Sequence, residues 1–220
     1  MTRQPSAAGP TPIADRTAPD QGFPVLRSDE AYSGRVIRLR VDEVRMPDGR
    51  AVVREVVEHL GAVAVVALDE ADRVVLIRQY RHPTGEYLLE LPAGLLDVPG
   101  EAAVDTARRE LFEEAALRAR TWHTLLDLRT SPGMSDEAVR VFLAREVREV
   151  PEPERYAGSE EEGDLDPHWV PLDDAVRAAL TGRIENSIAV AGLLAAVRVR
   201  DAGWSLLRPA DAPWPARPGR

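Results

Sequence analysis

The eight residues Gly61–Leu68 carry no charge and are built from small and β-branched side chains, and Val74–Ile77 repeats the pattern after a short polar break. Runs this short and uniformly apolar fit strands buried on both faces, which occur inside a sheet covered by helices. Tyr87–Leu91 and Val139–Leu143 read as further strands. Helical periodicity marks Ala102–Ala116, Leu172–Leu180 and Ile188–Val199. Strands and helices are interspersed, so the expected class is α/β (α+β), with helices on both faces of a mixed sheet. The longest apolar runs, Gly61–Leu68 and Ile188–Val197, fall far short of the roughly 20 residues that span a bilayer, so no membrane partner is expected.

Ahead of this core, Val36–Val41 and Val52–Val57 alternate in character around Met46-Pro47-Asp48-Gly49-Arg50, which reads as a hairpin turn. The expected organisation is a disordered tail over 1–22, a small antiparallel sheet over 23–59, the main domain over 60–206 and a loose tail over 207–220. Both tails are rich in proline and lack apolar periodicity, so little burial offsets the entropy of ordering them.

With 220 residues the chain can bury a sizeable core. Cysteine is absent, which excludes disulfides, a thiol nucleophile and thiolate metal sites. All 28 basic residues are arginine, so Schiff-base chemistry and a phosphate-loop lysine are excluded. The net charge of −9, with no basic run, argues against nucleic acid. Arg3 is followed by no apolar signal core, and a cytoplasmic protein is expected. His59, His82, His123 and His168 share no metal-ligand spacing and are expected to be structural or surface residues.

The chemistry is concentrated in Gly94–Leu117. On a helix at ~100° per residue, Val104, Ala107, Leu111 and Ala115 form an apolar stripe, with Glu110 and Glu114 one turn apart beside it and Glu113 adjacent. Arg109 stands four residues before Glu113 and can pair with it, whereas Glu110 and Glu114 are expected to stay unpaired within the segment. Clustered carboxylates suit a hard divalent cation such as Mg²⁺, which takes a few carboxylate oxygens together with water and phosphate.

This stretch resembles the box of the Nudix hydrolases, which cleave nucleoside diphosphates linked to another moiety. The family pattern is Gly, five residues, Glu, seven residues, then Arg-Glu-hydrophobic-x-Glu-Glu-x-Gly-hydrophobic. Glu101, Arg109, Glu110, Leu111, Glu113, Glu114 and Leu117 match it. The chain departs twice: six residues separate Gly94 from Glu101, and Ala116 stands where the family has its late glycine.

Arg78-Gln79-Tyr80-Arg81, Glu90-Leu91-Pro92-Ala93-Gly94 and Ser131–Glu137, with Pro132 fifteen residues past Leu117, resemble the ADP-ribose pyrophosphatase branch. The resemblance implies a Nudix α/β/α sandwich and Mg²⁺- or Mn²⁺-dependent hydrolysis of ADP-ribose, or a related nucleoside diphosphate sugar, to AMP and ribose 5-phosphate. It implies metal ligands at Glu110, Glu114 and the Ala93 carbonyl, with Glu113 a further ligand or supporting carboxylate and Glu101 steadying the loop. The general base is expected in the acidic loop Ser159–Asp164, at Glu161 or Glu162. Arg54 and Arg81, with Pro132, are expected to meet the substrate, and the N-terminal sheet to join two copies in a homodimer. Rival expectations are another Nudix substrate, such as GDP-mannose or an oxidised nucleotide, and a sensor that binds a nucleotide sugar without turning it over.

Overall fold

A computed structural model describes residues 22–152 and 165–218. The chain opens with an antiparallel three-stranded sheet, β1 (Val25–Ser33), β2 (Ile37–Arg45) and β3 (Ala51–His59), in the order β1-β2-β3. The expected turn joins β2 to β3: the Met46 N–H donates to the Arg50 carbonyl at 2.8 Å, and Gly49 takes φ 85. β1 escapes a reading by alternation because every one of its residues is exposed, leaving no buried face to select an apolar side.

The main domain is built on β4 (Ala62–Ala67) and β5 (Arg73–Arg81), followed by β6 (Glu86–Glu90), β7 (Ala93–Leu95) and α1 (Ala103–Ala115). Two long strands come next, β8 (Leu117–Arg129) and β9 (Ala138–Glu149). After them lie β10 (Asp166–Pro171), α2 (Leu172–Leu180), α3 (Ser187–Asp201) and the short β11 (Arg208–Pro209). One mixed sheet has the order β11-β8-β9-β4-β7, and a second has the order β10-β5-β6.

β4 is buried at every position and pairs in parallel with β9, from Ala62 opposite Val139 to Ala67 opposite Ala144. Its alternate side chains feed two cores. Ala64 and Val66 pack with Val141, Leu143 and residues of α2 and α3, such as Ala175 and Leu193. Val63 and Val65 pack with Phe142 and the Ala107–Leu111–Ala115 stripe of α1. Helices therefore cover both faces, as the uniformly apolar runs require. β8 is the element least visible in the sequence: its burial alternates incompletely, and the register slips between Thr124 and Leu126, which breaks its period-two pattern.

The C-terminal segment departs from the loose tail expected from 207. Arg208 and Pro209 pair with Thr124 and His123 of β8. Arg140, only 3% exposed, donates to Asp127 and to the Ala212 and Pro213 carbonyls, and its guanidinium lies 4.8 Å from the Trp214 ring centroid. A buried guanidinium needs several acceptors, and the chain after Pro209 supplies two of them. Further on, Arg217 donates to the Glu101 carbonyl at 2.9 Å, which ties this segment to the loop before α1.

Candidate active site

The apolar stripe of α1 docks on the sheet and thereby turns Glu110 and Glu114 towards β6 and β7. Glu110 is 8% exposed. A Cβ placed on Gly94 would stand 2.0 Å from the Glu110 carboxyl carbon, so only glycine in β7 lets that carboxylate reach its position. Glu114 accepts from the Ala93 N–H at 2.8 Å. Ala93, whose carbonyl is the expected metal ligand, thus meets Glu114 through its amide.

Glu110 has a partner, contrary to the expectation of an unpaired side chain. Arg109 Nη1 donates to Glu110 Oε1 at 2.7 Å and to Glu113 at 3.2 Å, while its Nη2 reaches Glu101 at 3.4 Å and Asp97 at 3.6 Å. One guanidinium thus offsets the charge of several neighbouring carboxylates. Glu101 also accepts from Thr106 Oγ1 at 2.8 Å, which fixes the end of the loop against the first turn of the helix.

Sequence reasoning placed Glu90 in the stretch before the box but gave it no role in the site. It is 2% exposed and gripped by Arg81 through two bonds, Nε to Oε1 at 2.8 Å and Nη2 to Oε2 at 2.6 Å. Glu90 and Arg81 both act electrostatically on Glu114, so Arg81 belongs to the carboxylate cluster. The signal was a lone acid inside the otherwise apolar run Tyr87–Leu91. Arg54 instead stands exposed on β3, its Nη1 donating to the Val53 carbonyl at 3.0 Å. Pro132 lies in an exposed turn that secures β3: the Val57 N–H donates to the Met134 carbonyl at 2.8 Å, and the His59 N–H to Asp136 at 2.8 Å. Glu161 and Glu162 lie outside the described residues.

Burial pushes the Glu110 carboxyl up to about 7, with Glu113 and Asp97 adding repulsion and Arg109 opposing it. Burial likewise raises Glu114 to about 8, aided by Glu110 and Glu90 and opposed by the Ala93 amide and Arg81. The folded chain therefore holds protons on both groups that the unfolded chain releases near 4.5. Where the folded state binds more protons, stability falls as pH rises. Without divalent metal, the melting temperature is expected to drop from pH 5 to pH 8, and Mg²⁺ should raise it more at pH 8 than at pH 6. Thermal melts in chelator and in Mg²⁺ check this; an equal metal effect at both pH values would contradict it.

Among the described residues no three His, Asp or Glu side chains converge on one point as an ion would require. The donor set nonetheless fits a hard divalent cation: Glu110, Glu113 and Glu114 offer oxygens only, and burial disfavours the charged forms of Glu110 and Glu114 until positive charge is added. A cleft of about 310 Å³ opens beside Glu113 and Glu114, bounded by Val75, Glu149, Leu165 and Trp169. It is large enough for part of a nucleotide and has carboxylates along one wall.

Helix α1 ends on Ala116, at φ 52 and ψ 40, whose N–H caps the Leu111 and Phe112 carbonyls. A left-handed alanine costs about 1 kcal/mol against glycine. Ala116→Gly is therefore expected to raise unfolding free energy by about that amount without loss of activity, as read by denaturant titration.

Comparison with known proteins agrees with this geometry. A NUDIX domain model matches residues 58–190, and a nucleoside diphosphate sugar hydrolase N-terminal domain model matches residues 24–57. An ADP-ribose pyrophosphatase of Mycobacterium tuberculosis is 49% identical over 199 residues, covering 90% of this chain and 94% of its own. A methanol dehydrogenase activator of Bacillus methanolicus is 36% identical, covering 74% of this chain and 85% of its own. A crystal structure of an ADP compounds hydrolase superposes with a TM-score of 0.71 at 23% identity, covering 86% of this chain and 99% of that one, a likeness of fold. With the box acids gathered on α1 and its domain model matched over more than half of its length, the chain belongs to the Nudix family.

Proposed function

We propose that the protein hydrolyses the diphosphate bond of ADP-ribose, releasing AMP and ribose 5-phosphate, with Mg²⁺ or Mn²⁺ bound. The observation that carries this reading is the convergence of buried Glu110 and half-buried Glu114 on β7, with Glu113 and Glu114 lining the adjoining cleft. The similarity to an ADP-ribose pyrophosphatase over nearly the whole chain supports the choice of substrate.

Glu110, Glu114, Glu113 and the Ala93 carbonyl would hold the divalent ion, whose chemistry is to neutralise phosphate oxygens and acidify water. The protein's own groups do the rest. Arg81 grips Glu90 beside Glu114, and Arg109 offsets the negative charge gathered at Glu110 and Glu113. Glu161 or Glu162, from the segment before Trp169, would take the proton of the attacking water. Without cations the acidic wall would repel a diphosphate, so catalysis rests on charge neutralisation and positioning.

A homodimer fits the N-terminal sheet. Three strands need a covered hydrophobic face for stability, and this sheet and the residue ahead of it leave Val25, Tyr32, Ile37, Val53 and Phe23 exposed. A second copy would cover them and would bring Arg54 towards the other subunit's substrate. No described helix is long and apolar enough to cross a membrane, which is consistent with a cytoplasmic enzyme.

The test is a turnover panel of nucleotide sugars with Mg²⁺ and with Mn²⁺. AMP release from ADP-ribose at the highest kcat/KM supports the proposal. Preference for GDP-mannose or an oxidised nucleotide overturns the substrate, and tight binding without turnover overturns the enzyme in favour of a sensor.

A further inference from the structure

The loop between β7 and α1 is held from outside itself. It carries one residue more than the Nudix pattern between Gly94 and Glu101. One extra residue costs little chain entropy, but it widens the set of positions that Glu101 can take. The usual remedy, a capping side chain at the helix start, is missing: the N-cap is Ala102, which makes no side-chain hydrogen bond.

The segment after β11 meets this loop at both ends. Pro218 lies against Gly61, where an added Cβ would stand 3.0 Å from its Cγ and Cδ, and the Leu96 N–H donates to the Gly61 carbonyl at 3.0 Å. Arg217 Nη2 donates to the Glu101 carbonyl at 2.9 Å. Between these contacts lies a cavity of about 440 Å³ walled by Leu60, the loop 96–100, Arg217 and Pro218. The segment is itself fixed. Ala216 is buried, the Arg217 N–H donates to the Trp214 carbonyl at 3.0 Å, and buried Arg140 donates to the Ala212 and Pro213 carbonyls. Anchored at Arg140, it lies as a strap across the loop.

We propose that Arg217 is a positioning residue for the hydrolysis, acting through the Glu101 backbone. The Glu101 carboxylate accepts from Thr106 Oγ1 at 2.8 Å and from Arg109 Nη2 at 3.4 Å, and the same guanidinium donates to Glu110 at 2.7 Å. Holding the Glu101 carbonyl therefore sets where Arg109, and with it the Glu110 carboxylate, comes to rest. The effect on rate rests on the hydrolase reading; the effect on the loop does not.

The test compares the parent with Arg217→Ala and with Arg217→Lys, which keeps a donor on a long stem. Amide hydrogen exchange is followed by mass spectrometry in chelator without substrate, and turnover of ADP-ribose with Mg²⁺ is measured separately. In Arg217→Ala, exchange over 96–104, where the Glu101 N–H donates to the Val98 carbonyl, should be at least about threefold faster. Exchange in β4 and β9 and the melting temperature should stay as in the parent. The kcat should fall about fivefold at unchanged KM, the scale of one hydrogen bond, and Arg217→Lys should recover most of both losses. Parent-like exchange over 96–104 in Arg217→Ala overturns the proposal. Faster exchange at the parent kcat, or no recovery with lysine, overturns the positioning role. A parent that turns over no nucleotide sugar sinks the hydrolase reading alone, and the exchange comparison still decides whether Arg217 holds the loop.

Discussion

Glu114→Gln is expected to lower kcat for ADP-ribose about 10³-fold, which corresponds to about 4 kcal/mol of transition-state stabilisation. The fold should survive. Glu114 holds its proton up to about pH 8 without metal, and the glutamine carbonyl can still accept from the Ala93 N–H. The variant should melt at or above the parent in chelator and lose most of the stabilisation that Mg²⁺ gives. A variant that turns over at the parent rate, or gains the parent's full metal-dependent rise in melting temperature, would remove Glu114 from the ligand set.

Gly94→Ala should cost about 10²-fold in kcat/KM by displacement alone. Its new methyl would land 2.0 Å from the Glu110 carboxyl carbon and 2.1 Å from an oxygen, so the side chain must swing away. That side chain is flexible at its end, so β7 should keep its pairing with β4 and the metal-free protein should melt within a few degrees of the parent. Displacing a reactive group by about 1 Å suffices for a loss of this size. Metal titration and steady-state rates check it; activity within threefold of the parent would show that Glu110 works from elsewhere.

Much of this was legible in the sequence where one physical demand left one residue pattern. The strand over Gly61–Leu68 was plain because burial on both faces admits only apolar side chains, and α1 because its stripe has the helical period. The acids of the box could be placed on one face by spacing alone. What escaped was set by side-chain contacts that no spacing rule announces, near or far in sequence. Glu90 gained meaning only when Arg81 closed on it across the β5–β6 pair. Glu110 gained a partner through the Arg109 side chain reaching along the helix rather than down it. The segment from Arg208 to Pro218 looked loose because its own composition says nothing of Arg140, whose need for acceptors holds it down.

The parallel junction of β4 with β9 bears on how the molecule assembles. Ala62 must wait for Val139, and everything between them, α1 included, is made first during synthesis. Closing so long a loop is entropically slow, which places folding in the millisecond-to-second regime of non-local topologies. Until β9 arrives, α1 can lie only on β4 with its partner β7, and the Phe142 part of its core is missing. The α1 stripe, and with it the place of Glu110 against Gly94, is therefore locked in only when the last long strand of the sheet joins.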